Sequence, residues 1–279
     1  MRTGGEERPS PPGRYAPDRN PTIDPCPRAR PGHVPAFSHT PTMNLLLLSN
    51  SSSDAGYLTH ARGWIADWAA AQARHGDAVF MPFAGVSRGW DDYEALVAGA
   101  LAPLGLDVRS AHRAADPVAA VAQARFIVTG GGNTFALLGQ LRRLGLLGAI
   151  AARVRSGEAS YLGWSAGSNV ACPTIRTTND MPITDPGGFD ALGLVPFQIN
   201  AHYTDAHPPG HRGETREERL REFGLLNPGA HVVGLPEGTG LRVHGGAATV
   251  LGDTAPVRLF LGAAPARLQG PGPLELPRA

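Results

Sequence analysis

The stretch Gly163-Trp164-Ser165-Ala166-Gly167 has the G-x-S-x-G pattern of a nucleophile elbow, in which a serine occupies a strained turn between a strand and a helix. The preceding run Ala159–Leu162 predicts a short strand, and the small residues of 166–171 predict the start of a buried helix. The flanking glycines permit the close backbone approach that so tight a turn requires. Glycine and serine are also common in loops, so the motif predicts a strand–turn–helix unit of an α/β fold but does not by itself establish catalysis.

Alternating strand and helix signals lie on the amino-terminal side of this elbow. Apolar runs predict strands at 44–49, 78–83, 106–109 and 125–129, and helical spacing predicts helices at 61–73, 90–101, 117–122, 134–141 and 146–155. Repeated β–α units of this length predict an α/β fold with a three-layer, flavodoxin-like and mostly parallel sheet. After residue 231, short apolar runs separated by Gly-rich turns predict C-terminal hairpins.

The composition is that of a globular chain. Of its 279 residues, 42% are hydrophobic and 18% are charged, which suffices to bury a sizeable core. The formal net charge of +1 predicts no nucleic-acid or anionic-membrane partner, and the chain lacks an apolar run of membrane-spanning length. Two cysteines, Cys26 and Cys172, cannot form a disulfide framework, so a reducing cytoplasm is the predicted location.

Residues 1–42 differ from the rest of the chain. They contain 10 of the 26 prolines and several arginines but no periodic apolar pattern, and such a segment is predicted to be a disordered extension. A translation start at Met43 is the alternative interpretation. Residues 43–266 are then the predicted catalytic domain, and residues 267–279 are a predicted C-terminal tail.

A serine nucleophile needs a base to remove its proton and an acid to orient that base. His202 is the best candidate base because it lies in Gln198–Tyr203, at the end of an apolar run. Glu237 is the best candidate acid because it follows the predicted strand Val232–Leu235. Both lie near strand ends, where open α/β sheets hold their ligand sites. Taken singly, a loop histidine or a glutamate before glycine is more often a surface residue.

Acyl transfer also requires hydrogen-bond donors for the oxyanion. Elbow geometry makes the N–H of Ala166 one donor. The run Gly130-Gly131-Gly132-Asn133 lies between a predicted strand and a predicted helix, and Gly132 is the favoured source of the second donor. A triple-glycine loop can also cradle phosphate, but this one lacks the Walker lysine and the G-x-G-x-x-G spacing, so phosphate binding is disfavoured.

The order of the three candidates excludes one common hydrolase class. In α/β-hydrolases the acid precedes the histidine, whereas here Ser165 is followed by His202 and then by Glu237. This order on a flavodoxin-like sheet is similar to the arrangement in class I glutamine amidotransferases, with serine in place of cysteine.

Five longer segments resemble a known family: Gly163–Asn169, Ala171–Ile183, Leu45–Ser51, Pro82–Val86 and Gly210–Glu217. In these segments the chain closely resembles the peptidase E family of bacterial α-aspartyl dipeptidases, and the resemblance spans residues 43–261. It implies a cytoplasmic serine peptidase, without metal or cofactor, that cleaves Asp-X dipeptides.

The resemblance also implies roles for individual residues. Ser165 matches the family nucleophile and His202 its general base. Glu237 falls where the family places the acid that orients the histidine, while Asp180 is a contender because its position is also linked with activity. Arg216 matches a position suited to bidentate binding of the aspartyl β-carboxylate.

Alternatives remain open from the sequence alone. Arg216 also fits a surface arginine paired with neighbouring glutamates, and Arg176 is then the second candidate for the carboxylate. Two other functions fit the same elements: a cyanophycinase-like exopeptidase acting on β-aspartyl peptides, and a non-catalytic binding module on the same scaffold.

Overall fold

A computed structural model describes residues 42–72, 76–206, 209–210, 212–262, 264 and 266–276. The chain divides into two units, residues 1–38 and 39–279. The first unit lies wholly outside the described residues, and so does the predicted disordered extension except for residue 42. The fold is therefore that of the second unit.

Strands and helices alternate through the first half of this unit. The strands are β1 (Asn44–Leu48), β2 (Ser52–Ser53), β3 (Gly56–Tyr57), β4 (Gly76–Met81), β5 (Leu106–Ser110), β6 (Phe126–Thr129), β7 (Ser160–Trp164), β8 (Gln198–Asn200), β9 (His231–Gly234), β10 (Gly240–His244), β11 (Ala247–Leu251), β12 (Val257–Leu261), β13 (Arg267–Gln269) and β14 (Gly272–Pro273). The helices are α1 (Arg62–Ala70), α2 (Trp90–Leu101), α3 (Pro117–Gln123), α4 (Thr134–Arg143), α5 (Leu146–Arg155), α6 (Ala166–Val170) and α7 (Arg216–Leu226).

Eight strands form the main sheet in the order β14-β11-β10-β1-β7-β6-β4-β5. The five strands from β1 to β5 in this order are parallel, and β10, β11 and β14 extend the sheet in antiparallel fashion. Leu45 and Leu47 of β1 pack with α4 and α5 on one face, while Leu46 and Leu48 pack with α1 and α2 on the other. Because both faces are covered, β1 is apolar at successive positions, and the predicted three-layer, mostly parallel α/β fold is confirmed.

A second sheet has the order β13-β12-β9-β8. The predicted C-terminal hairpins occur as β10–β11 and β12–β13, but β9 and β10, which are consecutive in the chain, belong to different sheets. Strands β8 and β9 are parallel neighbours. The chain therefore leaves both strands at the same end, where His202 and Glu237 follow.

The folded unit continues past residue 266, where the sequence predicts a tail. Strand β13 pairs with β12, and β14 pairs with β11. The N–H of Leu274 donates to the carbonyl of Ala248 at 2.8 Å, and Leu274 and Leu276 pack against the core. The predicted boundary is thus too early, because two exposed sheet edges supply backbone partners that strands of two or three residues do not reveal in their sequence.

No single helix in the described part of the chain is long and apolar enough to span a membrane. Helices α4 and α5 meet that criterion only when joined, and they are bent by 93° at their junction. Leu137 and Leu141 of α4 and Ile150 of α5 are fully buried in the core beside the main sheet.

His60 precedes α1 and makes stability depend on pH. Its ring lies edge-on to Trp64, and neither ring nitrogen has a hydrogen-bond partner among the described residues. Burial lowers its pKa below the ordinary value of 6.5, an effect that the charge of Glu237 partly offsets. As pH falls through 6.5 and below, the unfolded chain binds a proton at this residue more readily than the folded chain, so the free energy of unfolding decreases.

We therefore expect His60→Gln to reduce the fall in Tm between pH 7 and pH 5, as measured by calorimetry. The exposed His244 provides the control, since His244→Gln should leave the fall unchanged. An identical pH dependence of Tm in wild type and His60→Gln would contradict this assignment.

Candidate active site

Ser165 lies in the turn between β7 and α6. Its backbone has φ 52° and ψ −114°, a conformation that is strained for any residue with a side chain. The N–H of Ser165 donates to the carbonyl of Leu48 at 3.1 Å, which fixes the turn to the end of β1. A Cβ atom at Gly167 would lie 2.1 Å from the carbonyl oxygen of Thr129. The last glycine of the G-x-S-x-G motif is therefore required by contact with the backbone of β6.

The structure brings His202 and Glu237 to this serine. Asn200 of β8 is in register with Gly234 of β9, so the two parallel strands release their loops side by side. His202 Nε2 lies 3.0 Å from Ser165 Oγ, and His202 Nδ1 lies 2.7 Å from a Glu237 carboxylate oxygen. Hydroxyl, imidazole and carboxylate thus form one continuous hydrogen-bonded chain.

A buried hydroxyl joins the two sheets behind His202. The backbone of His202 has φ 53°, and its N–H donates to Ser49 Oγ at 2.9 Å. Ser49, fully buried at the end of β1, donates in turn to the carbonyl of Leu235 at 2.8 Å. One side chain of the main sheet therefore holds both loops of the second sheet. The sequence analysis did not single out Ser49, although its position just after a buried strand is typical of residues near a functional site.

Asp180, the other candidate for the acid that orients His202, has different partners in the structure. One of its carboxylate oxygens accepts from the N–H of Thr134 at 2.7 Å and from the hydroxyls of Thr134 and Thr178. It thus binds the first turn of α4, where the helix dipole favours a negative charge. The carboxylate that hydrogen-bonds to His202 belongs to Glu237 and not to Asp180.

Arg216, predicted to bind substrate, begins α7 beside the histidine. Its guanidinium donates from Nη1 to the main-chain carbonyl of His202, and burial lowers its pKa below the ordinary value. An arginine has five N–H donors, so this bond engages part of the group. Arg176, the second candidate, is exposed, and its guanidinium lies 5.5 Å from the ring centre of Phe189.

The predicted oxyanion donors lie around the serine. Ala166 is the first residue of α6, so its N–H has no intrahelical acceptor. Gly132 has φ 132°, and a Cβ there would lie 2.2 Å from the carbonyl oxygen of Ala84. A Cβ at Gly131 would lie 3.0 Å from Cβ of Ser165. The glycine loop therefore approaches the serine as closely as backbone atoms permit, with Gly131 in direct contact.

A cavity of about 570 Å³ opens in front of Ser165 and His202, a size suited to a small ligand. Its lining includes one carboxylate, Asp180, and one guanidinium, Arg88. Tyr57 also contributes to the wall. The sequence analysis named neither Arg88, in a loop, nor Tyr57, in the two-residue strand β3, because their position relative to the serine is set only by the fold.

One cluster in the described part of the chain has the spacing of a metal site. Ligand atoms of Asp91, Glu94 and His112 lie within 4.8 Å of one another. Arg113, however, forms ion pairs with Asp91 at 2.8 Å and with Glu94 at 2.7 Å. The cluster is therefore an ion-pair network in which one guanidinium already engages both carboxylates.

Comparison with known proteins assigns the chain to a family. The model of peptidase family S51 matches residues 45–251. The chain belongs to peptidase family S51. This matched span of the S51 peptidase contains Ser165, His202 and Glu237, and membership makes the chain a serine peptidase.

Relatives of this S51 peptidase are similar over most of its length. Peptidase E of Citrobacter koseri is 56% identical over 213 residues, covering 75% of this chain and 90% of the relative. Peptidase E of Salmonella typhimurium is 54% identical over 211 residues, with the same coverage. The crystal structure of a peptidase from an acI-B1 actinobacterium has a TM-score of 0.61 at 17% identity, covering 82% of this chain and 95% of that one, and so shows the same fold.

Proposed function

We propose that this S51 peptidase hydrolyses dipeptides with an N-terminal aspartate, using Ser165 as nucleophile, His202 as base and Glu237 as the orienting acid. The observation that carries the proposal is the hydrogen-bonded chain from Ser165 Oγ through His202 to Glu237, with distances of 3.0 and 2.7 Å. The Asp-X specificity is supported by the relatives named Peptidase E and by a cavity whose lining carries both signs of charge.

The chemistry proceeds in two steps. His202 accepts the proton of Ser165 as Oγ attacks the aspartyl carbonyl carbon. The resulting oxyanion accepts hydrogen bonds from the N–H of Ala166 and from the glycine loop, with Gly132 as the proposed donor. The imidazolium then protonates the leaving amine, the C–N bond breaks, and an aspartyl ester of Ser165 remains. Water, deprotonated by His202, cleaves this ester, and the proton returns to Ser165 as aspartate leaves.

Charged groups of the dipeptide need partners of opposite charge. Asp180 supplies a carboxylate at the cavity for the free α-ammonium group. Arg216 remains the proposed partner of the aspartyl β-carboxylate, because it adjoins His202 and retains N–H donors beyond the one bound to the His202 carbonyl. We place the enzyme in the cytoplasm, in keeping with the free, buried thiol of Cys172.

A dipeptide panel tests the proposed function. Purified full-length protein is incubated with Asp-Leu, Ala-Leu, N-acetyl-Asp-Leu and β-Asp-Leu, and free leucine is quantified. We expect cleavage of Asp-Leu with at least a tenfold preference over the other three peptides, since each lacks or displaces one charged group. Preferential cleavage of β-Asp-Leu would instead indicate the cyanophycinase-like activity. No cleavage, together with no labelling of Ser165 by a fluorophosphonate, would indicate a binding module.

Glu237 should contribute less than the acid of a buried triad. Its side chain is 65% exposed, and water weakens the interaction of its charge with the imidazolium. We expect Glu237→Gln to lower kcat for Asp-Leu by about 10- to 100-fold, compared with about 10⁴-fold for a buried acid. Steady-state kinetics of Glu237→Gln and of Asp180→Asn provide the check. If Asp180→Asn lowers kcat while Glu237→Gln does not, Glu237 is not the orienting acid.

A further inference from the structure

Arg88 places an unpaired positive charge on the wall of the catalytic cavity. It is the one arginine or lysine among the described residues that line this cavity, and it forms no ion pair with any residue of the described ranges. Its guanidinium lies 5.2 Å from the ring centre of Tyr93. Such a cation–π contact orients the side chain but leaves its charge available to an anion.

The loop that carries Arg88 is tied to the glycine loop beside the nucleophile. The carbonyl of Ala84 accepts from the N–H of Asn133 at 2.9 Å, and the same carbonyl packs against the α-carbon of Gly132. Farther along, the carbonyl of Gly85 accepts from Trp90 Nε1 at 3.2 Å. The loop is thus anchored on both sides, so Arg88 extends from a backbone that is fixed relative to the reacting carbonyl.

A second donor lies beside Arg88. The hydroxyl of Tyr57 faces those of Ser51 and Tyr93 but has no hydrogen-bond partner among the described residues. Burial raises the pKa of Tyr57 well above its ordinary value, so the phenol remains a neutral O–H donor. A buried donor without a partner is costly, and a carboxylate oxygen held by the neighbouring guanidinium is a suitable acceptor.

An Asp-X dipeptide carries three charges: the α-ammonium group, the β-carboxylate and the C-terminal carboxylate. The two carboxylates are equally far from the reaction, since each carbon lies three covalent bonds from the carbonyl carbon that Ser165 attacks. Apart from Glu237, which is engaged by His202, the site offers the carboxylate of Asp180 and the guanidinium of Arg88 on the cavity wall, with the guanidinium of Arg216 beside His202. Asp180 is the proposed partner of the α-ammonium group, and Arg216 is the proposed partner of the β-carboxylate. The C-terminal carboxylate of the substrate and Arg88 of the enzyme then remain.

We propose that Arg88, assisted by the hydroxyl of Tyr57, binds the C-terminal carboxylate of the dipeptide and thereby restricts this peptidase to dipeptides. In a longer peptide a neutral amide replaces that carboxylate, and the guanidinium loses its charged partner. The proposal rests on the proposed dipeptidase function and adds to it the residue that recognises the second amino acid. Arg88 is a binding residue in this scheme and has no part in proton transfer.

The test compares Asp-Leu, Asp-Leu amide and Ala-Leu as substrates of wild type, Arg88→Met and Arg216→Met. The amide lacks the C-terminal carboxylate, and Ala-Leu lacks the β-carboxylate. We expect Arg88→Met to lower kcat/KM for Asp-Leu by roughly 10- to 100-fold, the loss of one charged hydrogen-bonding partner, and to leave Asp-Leu amide within about threefold of wild type. Arg88→Lys should retain part of the preference, because it keeps the charge but not the planar fork.

Three results would overturn the proposal. The first is an unchanged ratio of Asp-Leu to Asp-Leu amide in Arg88→Met, and the second is an equal loss on all three substrates. The third is loss of the preference for Asp-Leu over Ala-Leu in Arg88→Met, which would assign Arg88 to the β-carboxylate. In the matched variant Arg216→Met, loss of that preference is the expected result. Arg88 is exposed, so its replacement should not disturb the fold. The Tm of each variant verifies this. Failure of wild type to cleave Asp-Leu would refute the proposed function itself, which separates the two hypotheses.

Discussion

Ser165→Ala is expected to lower kcat for Asp-Leu by about 10⁴- to 10⁶-fold, the loss seen when the nucleophile of a serine triad is removed. The alanine has no oxygen to attack the carbonyl, so the acyl-enzyme cannot form and His202 has no hydroxyl proton to accept. The fold should persist, since the one side-chain hydrogen bond of Ser165 among the described residues is that with His202. The measurement is leucine release at saturating Asp-Leu, with Tm recorded for the same preparation.

Ser87 offers a matched control for this substitution. It is an exposed serine that lines the same cavity but is not hydrogen-bonded to His202. Ser87→Ala should retain kcat within about threefold of wild type. Turnover by Ser165→Ala at the wild-type rate would remove the serine from the mechanism, and with it the acyl-enzyme.

Gly167→Ala is expected to lower the free energy of unfolding by about 3 kcal/mol or more, at the upper end of the range for overpacking. The added methyl group would lie 2.1 Å from the carbonyl oxygen of Thr129 and 2.9 Å from its carbonyl carbon. These atoms belong to β6 in the middle of the main sheet and cannot rotate away as a side chain would. Relief requires α6 to move, so activity should fall together with stability. Chemical denaturation, monitored by circular dichroism, gives the change in free energy.

Gly99 in α2 is the control for the conformational part of this effect. A Cβ there would meet no atom within 4 Å, and α2 is exposed at this position. Alanine is the better helix former, so Gly99→Ala should raise the free energy of unfolding by about 0.5–1 kcal/mol. If Gly167→Ala were as stable as wild type, the contact with Thr129 would not be what makes glycine necessary in the elbow.

Much of the fold could be predicted from local signals. The helices Trp90–Leu101 and Leu146–Arg155 occur at their predicted bounds, because apolar residues at helical spacing meet the core on one face. Helix α3 begins as its sequence indicates, with Asp116 as N-cap and Pro117 in the first turn. Strand boundaries were less accurate: β4 begins at Gly76, two residues before the predicted start.

The candidate site was predicted in part. Ser165, His202 and Glu237 were named because each follows an apolar run and because the chain resembles a family with that arrangement. Glu237 was favoured over Asp180 in the sequence because it follows a predicted strand, but Asp180 stayed a contender, and the structure shows that Glu237 contacts the imidazole. Ser49 and Arg88 were missed, because their importance lies in what faces them across the fold.

The sequence by itself determined the parts of this protein that depend on neighbours in the chain: the buried parallel strands, the helices between them and the glycine-flanked turn that holds Ser165. Hydrophobic periodicity and glycine conformation are local properties, so they can be read at each position. Tertiary structure alone decided that β8 and β9 lie side by side in a second sheet, that Ser49 joins this sheet to the first, and that Arg88 shares a cavity with the serine. Those relations depend on which sheet edge each strand occupies, and strand pairing between distant segments leaves no periodic signal in either one.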